Sequence, residues 1–339
     1  VILPSLPSAE PAADAGPTSQ SQGRPGIRGT RRRQALRTPG SGVRNFGQAE
    51  VRTIAASDAA APRQPEWATS YRGRIAPTPE RARARNRPLL IGRVETIEPL
   101  TPTLIRIVFG GEGLAGFELG EYSDHYVKLQ FPREGAAEDE RPKVRTYTVR
   151  EWDAARGLLT IDFVVHGDEG IAGPWAAAAA PGDTLGLRGP GGGYAPDPDA
   201  AWHLMAGDTS VIPAISASLP RIAAGVPVHV FLQVHGPEEE VELTSPGDLH
   251  LHWLHGDADE GVAAALADLD FPAGEPQVFL HGEATSVRLA RRHLVVDRGL
   301  PATALSASGY WKRTLSDEGW REAKGDWNAQ VEADAASSR

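Results

Sequence analysis

The chain has 339 residues, the length of about two ordinary domains. An apolar share of 40% and a charged share of 23% suit a globular protein, and 37 Gly with 28 Pro predict many tight turns. The absence of Cys excludes disulfides, thiolate metal sites, Cys-ligated iron–sulfur clusters and Cys nucleophiles, while a net charge of −9 argues against a general nucleic-acid binder.

That charge is unevenly divided. Residues 1–88 hold 15 Arg, no Lys and six acids, whereas the rest carry 20 basic and 38 acidic groups. The first segment has no sustained period of 2 or 3.6, and its aromatics are Phe46, Trp67 and Tyr71. Such a segment buries too little apolar area to offset its conformational entropy. It reads as a disordered Arg/Pro/Gly-rich extension, or as the product of a start placed too far upstream. Arg31, Arg32 and Arg33 suit nucleic acid or an export signal, but no apolar stretch follows them as export requires. The expected compartment is therefore the cytoplasm. No run of 18 apolar residues occurs, so no membrane-spanning helix is predicted.

Six short alternating or β-branched runs follow, at 89–97, 103–109, 124–131, 144–150, 158–165 and 184–189. They predict an antiparallel six-stranded barrel over residues 89–198, with the charged stretch 131–143 at a hairpin tip. Over residues 199–327 strand and helix alternate, which predicts an open parallel α/β sheet. Strands are expected at 202–206, 227–235, 241–243, 248–254, 277–282 and 303–311. Helices are expected at 210–219, 260–269 and 284–296, and residues 328–339 read as a tail.

Two segments carry chemistry. In HGDEGIAGPWAAAAAPGD, Gly170 and Gly173 precede Pro174 at a helix N1 position, and Pro181 with Gly182 stops the helix. A helix start on bare backbone is an anion site, though a structural turn before a surface helix fits the same residues. Upstream, RTYTVR is expected to place Arg145, Tyr147 and Arg150 on one strand face, with Thr146 and Thr148 on the other. An arginine fork suits a pyrophosphate and a tyrosine ring suits an aromatic cofactor. An ordinary half-buried strand fits as well. Together the two segments point to a dinucleotide site.

With GPGGGY, AGDTSVIPAI, HGPEEEVEL, HGEATSVRLARRHL and SGYWKR, these segments resemble the siderophore-interacting protein family from about Leu89 to Lys324. That family comprises FAD-dependent ferric-siderophore reductases of the ferredoxin reductase-like superfamily. The resemblance implies a flavin-binding barrel followed by a nicotinamide-binding-like parallel α/β domain. It assigns the FAD pyrophosphate to Arg145 and the flavin ring to Tyr147 and Thr148, with Thr146 beside them. His166, Gly173, Trp175 and Ala176 would complete the FAD cradle. NADPH or NADH would lie near Gly207, Asp208, Thr209, Ser210, Gly282, Glu283, Gly309, Tyr310 and Trp311. Lys128, Lys312 and Arg313 would collect an anionic ferric siderophore. Electrons would pass through the flavin, with no catalytic side chain and no protein metal site; reduced ferredoxin is a second possible donor, and a monomer is expected. Two positions depart from the family pattern: GDTS replaces GDET at Thr209 and Ser210, and Thr314 stands where a glycine is common.

Other constellations weigh less. His250 and His252 share a strand face, with His255 nearby, a spacing that also suits an ordinary solvent-edge strand. Asp168 and Glu169 read as solvated neighbours, Pro190 to Tyr194 as a turn, and Arg288, Arg291 and Arg292 as a solvated helix stripe. The competing readings are another flavin reductase of the superfamily and a non-catalytic siderophore-binding module.

Overall fold

The computed structural model describes residues 87–131, 141–167 and 170–336. The extension expected over 1–88 lies outside them except for its last two residues, as do Asp168, Glu169 and most of the charged stretch 131–143.

Seven antiparallel strands form the first sheet: β1 (Leu90–Thr101), β2 (Leu104–Gly110), β3 (Tyr126–Phe131), β4 (Lys143–Thr148), β5 (Glu151–Asp153), β6 (Leu158–Val164) and β7 (Thr184–Gly191). Their order is β4-β3-β7-β1-β2-β6-β5. Six are the expected runs. The seventh, β5, has three residues and pairs with β6, too short to reveal an alternation in sequence. Alternation puts Ile107, Phe109, Val127, Leu129, Phe131, Ile161, Phe163, Leu185 and Leu187 inside one core. The sheet curls until β4 meets β6. There the rings of Tyr147 and Phe163 lie 4.5 Å apart, and Arg150 N–H donates to Thr160 O at 2.9 Å. Helix α1 (Ala172–Ala178) packs on this core, with Trp175 wedged among Phe109, Phe131 and Phe163. Burial of a large apolar side chain of this kind stabilises by roughly 1.5–3 kcal/mol.

The second sheet is parallel, ordered β10-β9-β8-β11-β12. Its strands are β8 (Trp202–Asp208), β9 (Pro227–Val234), β10 (Asp248–His255), β11 (Pro276–Glu283) and β12 (Leu305–Trp311). Central strands β8 and β11 are buried along nearly their whole length, as a sheet covered on both faces requires. Helix α2 (Ile212–Ser218) covers one face. The other is covered by α3 (Gly261–Ala267), α4 (Ala284–Arg292) and α5 (Asp317–Ala336). Leu104 of β2 belongs to the same buried cluster as the α2 side chains, so the two sheets are joined by apolar packing. Ser123 and Ser218 hydroxyls, 2.7 Å apart and buried, add a polar link between the two halves.

Three expectations change. Residues 241–243 form no strand; Val241 and Leu243 anchor a loop onto the α2 cluster, so their alternation reflects packing without a partner strand. The helix expected over 284–296 ends as α4 and continues as a π turn at His293–Asp297. The 20-residue α5 runs past residue 327, where the tail was expected to begin, and buries Trp320, Trp327 and Val331.

Candidate functional site

Pairing of β4 with β3 decides which side chains share a face. Arg145 lies opposite Leu129 and Tyr147 opposite Val127, both core positions, while Thr146 lies opposite Lys128 and Thr148 opposite Tyr126. The two faces expected for RTYT are present, but Arg150 does not join the first. The strand ends at Thr148, buried Val149 takes the next inward position, and Arg150 falls beyond it. Period-2 parity forbids 145 and 150 from sharing a face of a regular strand. Burial raises the Tyr147 hydroxyl well above its ordinary pKa, so it stays protonated.

The Arg145 guanidinium, only 13% exposed, is held from the far end of the chain. Its Nη1 donates to Asp317 Oδ2 at 3.2 Å and to Glu318 Oε1 at 3.0 Å, both at the start of α5. Arg321 pairs with Asp317 at 2.6 Å and also donates to Val144 O, so the α5 start docks against β4. Burial alone would raise the Glu318 pKa, but hydrogen bonds, including that from Arg145, outweigh it and hold the carboxyl below its ordinary range. Nothing in the acidic run DEGWRE advertises this latch in sequence, because its partner lies 172 positions away.

Helix α1 connects to this strand through the core, where Phe163 lies between Tyr147 and Trp175. No side chain caps it at Ile171, and Pro174 has no amide hydrogen, which leaves the first-turn amides of Ala172 and Gly173 without helix partners. A Cβ on Gly173 would lie 3.4 Å from Val164 O, in ordinary contact, so α1 sits against the end of β6. His166 is exposed there. Trp175 and Ala176 turn their side chains into the barrel core, and Trp175 N–H already donates to Ile171 O at 3.1 Å. Of the cradle residues, Gly173 and His166 are therefore the ones free to face a ligand. An uncapped helix start and an arginine largely withdrawn from solvent are each groups that suit the pyrophosphate of a dinucleotide.

The sheet-end residues gather at the C-terminal ends of β8, β11 and β12, where open α/β sheets hold ligands. Asp208 is their hub. Its Oδ1 accepts from Ser210 N (2.8 Å) and Oγ (2.5 Å), and its Oδ2 from Glu283 N (2.6 Å) and Trp311 Nε1 (3.0 Å). Burial raises the Asp208 pKa, against the opposing pull of these bonds. Gly207 and Gly282 permit the approach: a Cβ on the first would meet His281 O at 2.1 Å, and one on the second Asp208 Oδ2 at 2.7 Å. Glu283 caps α4 by accepting from Thr285 N and Ser286 N, and its other oxygen accepts from Arg313 N at 3.0 Å. Both carboxylates are thus committed within the protein. What faces outward is Trp311, 41% exposed with its indole N–H tied to Asp208. Thr209 opens a single 3-10 turn and makes no side-chain hydrogen bond among the described residues. Ser210 keeps the hydroxyl of the expected threonine and spends it on Asp208. Buried Gly309 and half-buried Tyr310 precede Trp311, the Tyr310 ring 5.0 Å from His281.

The three candidate cations differ. Lys128 donates to Thr146 Oγ1 at 2.5 Å and lies 5.0 Å from the Tyr126 ring centroid. Lys312 donates to Thr285 Oγ1 at 2.7 Å, with the Glu283 carboxylate at 3.9 Å. Arg313 is paired with Asp257 at 3.1 Å and Asp259 at 3.5 Å. Thr314, flagged as a departure, has φ 73, the left-handed conformation that favours glycine.

His250 and His252 do share a face and stack on His229, with ring centroids 4.5 and 5.9 Å from it. His255 pairs with Glu240 at 2.8 Å. Among the described residues no three His, Asp or Glu side chains are grouped to hold a metal ion. Arg288 is bound to Asp334 at 2.6 Å and Arg291 to Val331 O, so part of the stripe serves α4–α5 packing.

Both halves of the chain are similar to known proteins. A family profile described as siderophore-interacting protein matches residues 200–314, and one described as siderophore-interacting FAD-binding domain matches 93–139 and 136–194. Ferric vibriobactin reductase ViuB of Vibrio cholerae is 34% identical over 247 residues, 66% of this chain and 90% of that protein. An NADPH-dependent ferric-chelate reductase of Escherichia coli is 32% identical over 252 residues, 69% of this chain and 96% of that one. A siderophore utilization protein from T. fusca superposes with a TM-score of 0.60 at 33% identity, covering 68% of this chain and 95% of that chain.

Proposed function

The chain belongs to the siderophore-interacting protein family, and from that membership we propose that it is an FAD-dependent reductase of ferric siderophores, with NADPH as the electron donor. The observation that carries the reading is the contact of Arg145 on β4 with Asp317 and Glu318, which follow β12 closely in the chain and so tie a strand suited to a flavin dinucleotide to a sheet end suited to a nicotinamide. When bound, the flavin takes two electrons from a hydride donor and yields them singly, as Fe(III) requires. The residues supply position and charge. Arg145, Gly173 and His166 hold the FAD phosphates, while Tyr147, Thr146 and Thr148 flank the ring. Trp175 and Ala176 support that cradle from within the barrel core.

At the other side, Gly207, Thr209, Ser210, Gly282, Gly309 and Tyr310 shape the floor of the nicotinamide site. Asp208 and Glu283 brace it, and Trp311 offers a flat face. Lys128, beside Thr146 of β4, and Lys312, beside Thr285, are the cations assigned to an anionic chelate. Arg313, already answered by two carboxylates, contributes less. Reduction to Fe(II) weakens the grip of hard oxygen donors and frees the iron. We place this reaction in the cytoplasm, in a monomer, with reduced ferredoxin as a second donor. Among the described residues no helix is long and apolar enough to cross a membrane.

The test is the visible spectrum of the purified protein under nitrogen. Flavin bands that bleach with NADPH and return with a ferric siderophore, as an Fe(II) chelator develops colour, are the expected result. Lack of flavin after reconstitution with FAD overturns the assignment. Bands that persist with NADPH but bleach with reduced ferredoxin exchange the donor. A sedimentation run on the same sample checks the monomer.

A further inference from the structure

Arg150 stands apart from every other arginine near the cleft. Its backbone N–H is bonded to Thr160 of β6, which brings its side chain within electrostatic reach of Arg106 and Asp162. Those two are already paired two-pronged: Arg106 Nε and Nη2 donate to the two Asp162 oxygens at 2.7 and 2.8 Å. The half-buried Arg150 side chain makes no hydrogen bond or ion pair among the described residues, and its Nε is buried without an acceptor. Burial, followed by the like charge of Arg106, pushes its pKa down. A partly buried cation without a partner is destabilising. By contrast, Arg145 meets two carboxylates.

Position narrows what Arg150 is for. Arg106 and Asp162 lie on the outer face of β2 and β6, whose neighbours Leu104 and Val164 pack in the cluster that joins the barrel to α2. Arg150 therefore sits toward the cleft between the two halves. It is two residues beyond Thr148, assigned to the flavin ring, and five beyond Arg145, assigned to the pyrophosphate. A bulky ferric chelate reaches a partly exposed ammonium such as that of Lys312 more readily than a guanidinium with a buried Nε. Moreover, a hydride brings two electrons and one proton to a neutral ring, which leaves that ring with one negative charge to be balanced.

We infer that Arg150 is a further cofactor-binding residue, whose guanidinium meets the pyrimidine edge of the flavin ring and stabilises the negative charge gained on reduction. The inference rests on the FAD reading above and adds a residue outside the RTYT assignments.

The experiment uses the full chain with Arg150→Met and Arg150→Lys, titrated with FAD, FMN and riboflavin, alongside reduction potentials of the FAD-loaded proteins. Arg150→Met should weaken all three ligands at least tenfold and alike. It should also lower the two-electron potential, by about 30 mV for each tenfold loss in preference for the reduced ring. Arg150→Lys should recover most of both effects. Without flavin, Arg150→Met should resist urea at least as well as the parent, since an unanswered charge has been removed. Weaker FAD binding with unchanged riboflavin binding and potential would mean a phosphate contact and overturn the inference. So would unchanged binding and potential, or an Arg150→Met protein that is less stable without flavin, which would assign the guanidinium to the fold. A parent protein that takes up no flavin at all defeats the FAD reading itself.

Discussion

The two sides of the cleft treat their polar groups differently. At the ends of β8, β11 and β12 they are satisfied from within: Asp208 accepts four hydrogen bonds, and Glu283 caps α4 while also accepting from Arg313 N. On the barrel side, the α1 start has no side-chain cap and Arg150 has no acceptor for its buried Nε. A side whose polar groups are committed is rigid and offers backbone and an aromatic face. A side with uncommitted donors is suited to hold a charged group tightly. This matches a tightly kept flavin opposite a nicotinamide that must come and go.

Substitutions can break that contrast. The largest effect is expected at the hub, where Asp208→Ala leaves several buried donors unanswered. It should lose about 3 kcal/mol of folding stability, measured by urea unfolding, and free Trp311 to give an altered near-UV spectrum. An unchanged midpoint would mean that the strand ends hold together without it.

On the barrel side, Arg145→Ala should weaken FAD binding at least tenfold, in line with about 1.5–3 kcal/mol for a hydrogen bond to a charged group. Because Asp317 and Glu318 occupy the same guanidinium, Asp317→Asn with Glu318→Gln should move the FAD dissociation constant the other way. Equal constants would show that phosphate and carboxylates do not compete.

A third test uses pH. Burial holds His281 neutral down to about pH 3, whereas in the unfolded chain it protonates near the ordinary imidazole value of 6.5. The unfolded state thus binds the proton first, so this contribution to stability is full above pH 6.5 and declines as pH falls toward 3. The slope from one such group is at most about 1.4 kcal/mol per pH unit. His281→Gln should flatten the acid limb of the stability curve; an unaltered limb would place the acid sensitivity elsewhere. The smallest effect is at Thr314, whose φ of 73 disfavours a β-branched residue. Thr314→Gly should stabilise by about 1 kcal/mol, read as a higher melting temperature, and a lower one would mean that the Thr side chain is needed there.

Legibility from sequence follows the range over which each feature is determined. The alternation in YVKLQF and LLTIDFV marks both strand and inner face, because each residue's own side of a strand follows from parity. β5 is too short for that signal, and residues 241–243 imitate it without a partner strand. The last helix is hard to read because its buried residues Trp320, Trp327 and Val331, though spaced by 7 and 4, form a thin stripe in a polar run interrupted by Gly325. For the site, GPW marks a helix start and RTYT a two-faced strand. Yet the inward turn of Trp175 and the exclusion of Arg150 from the Arg145 face depend on where α1 packs and where β4 ends.

The chain's own residues determined a β-rich half followed by an α/β half and the positions of the two segments proposed to hold a dinucleotide, since periodicity, helix starts and glycines act over a few residues. Tertiary structure alone decided which charges are answered. Arg145 meets carboxylates from α5, Asp208 gathers donors from β11 and β12, and Arg150 is left beside an ion pair that is already closed. Electrostatic partners are chosen by distance in space, and residues 172 positions apart become neighbours only when the chain folds.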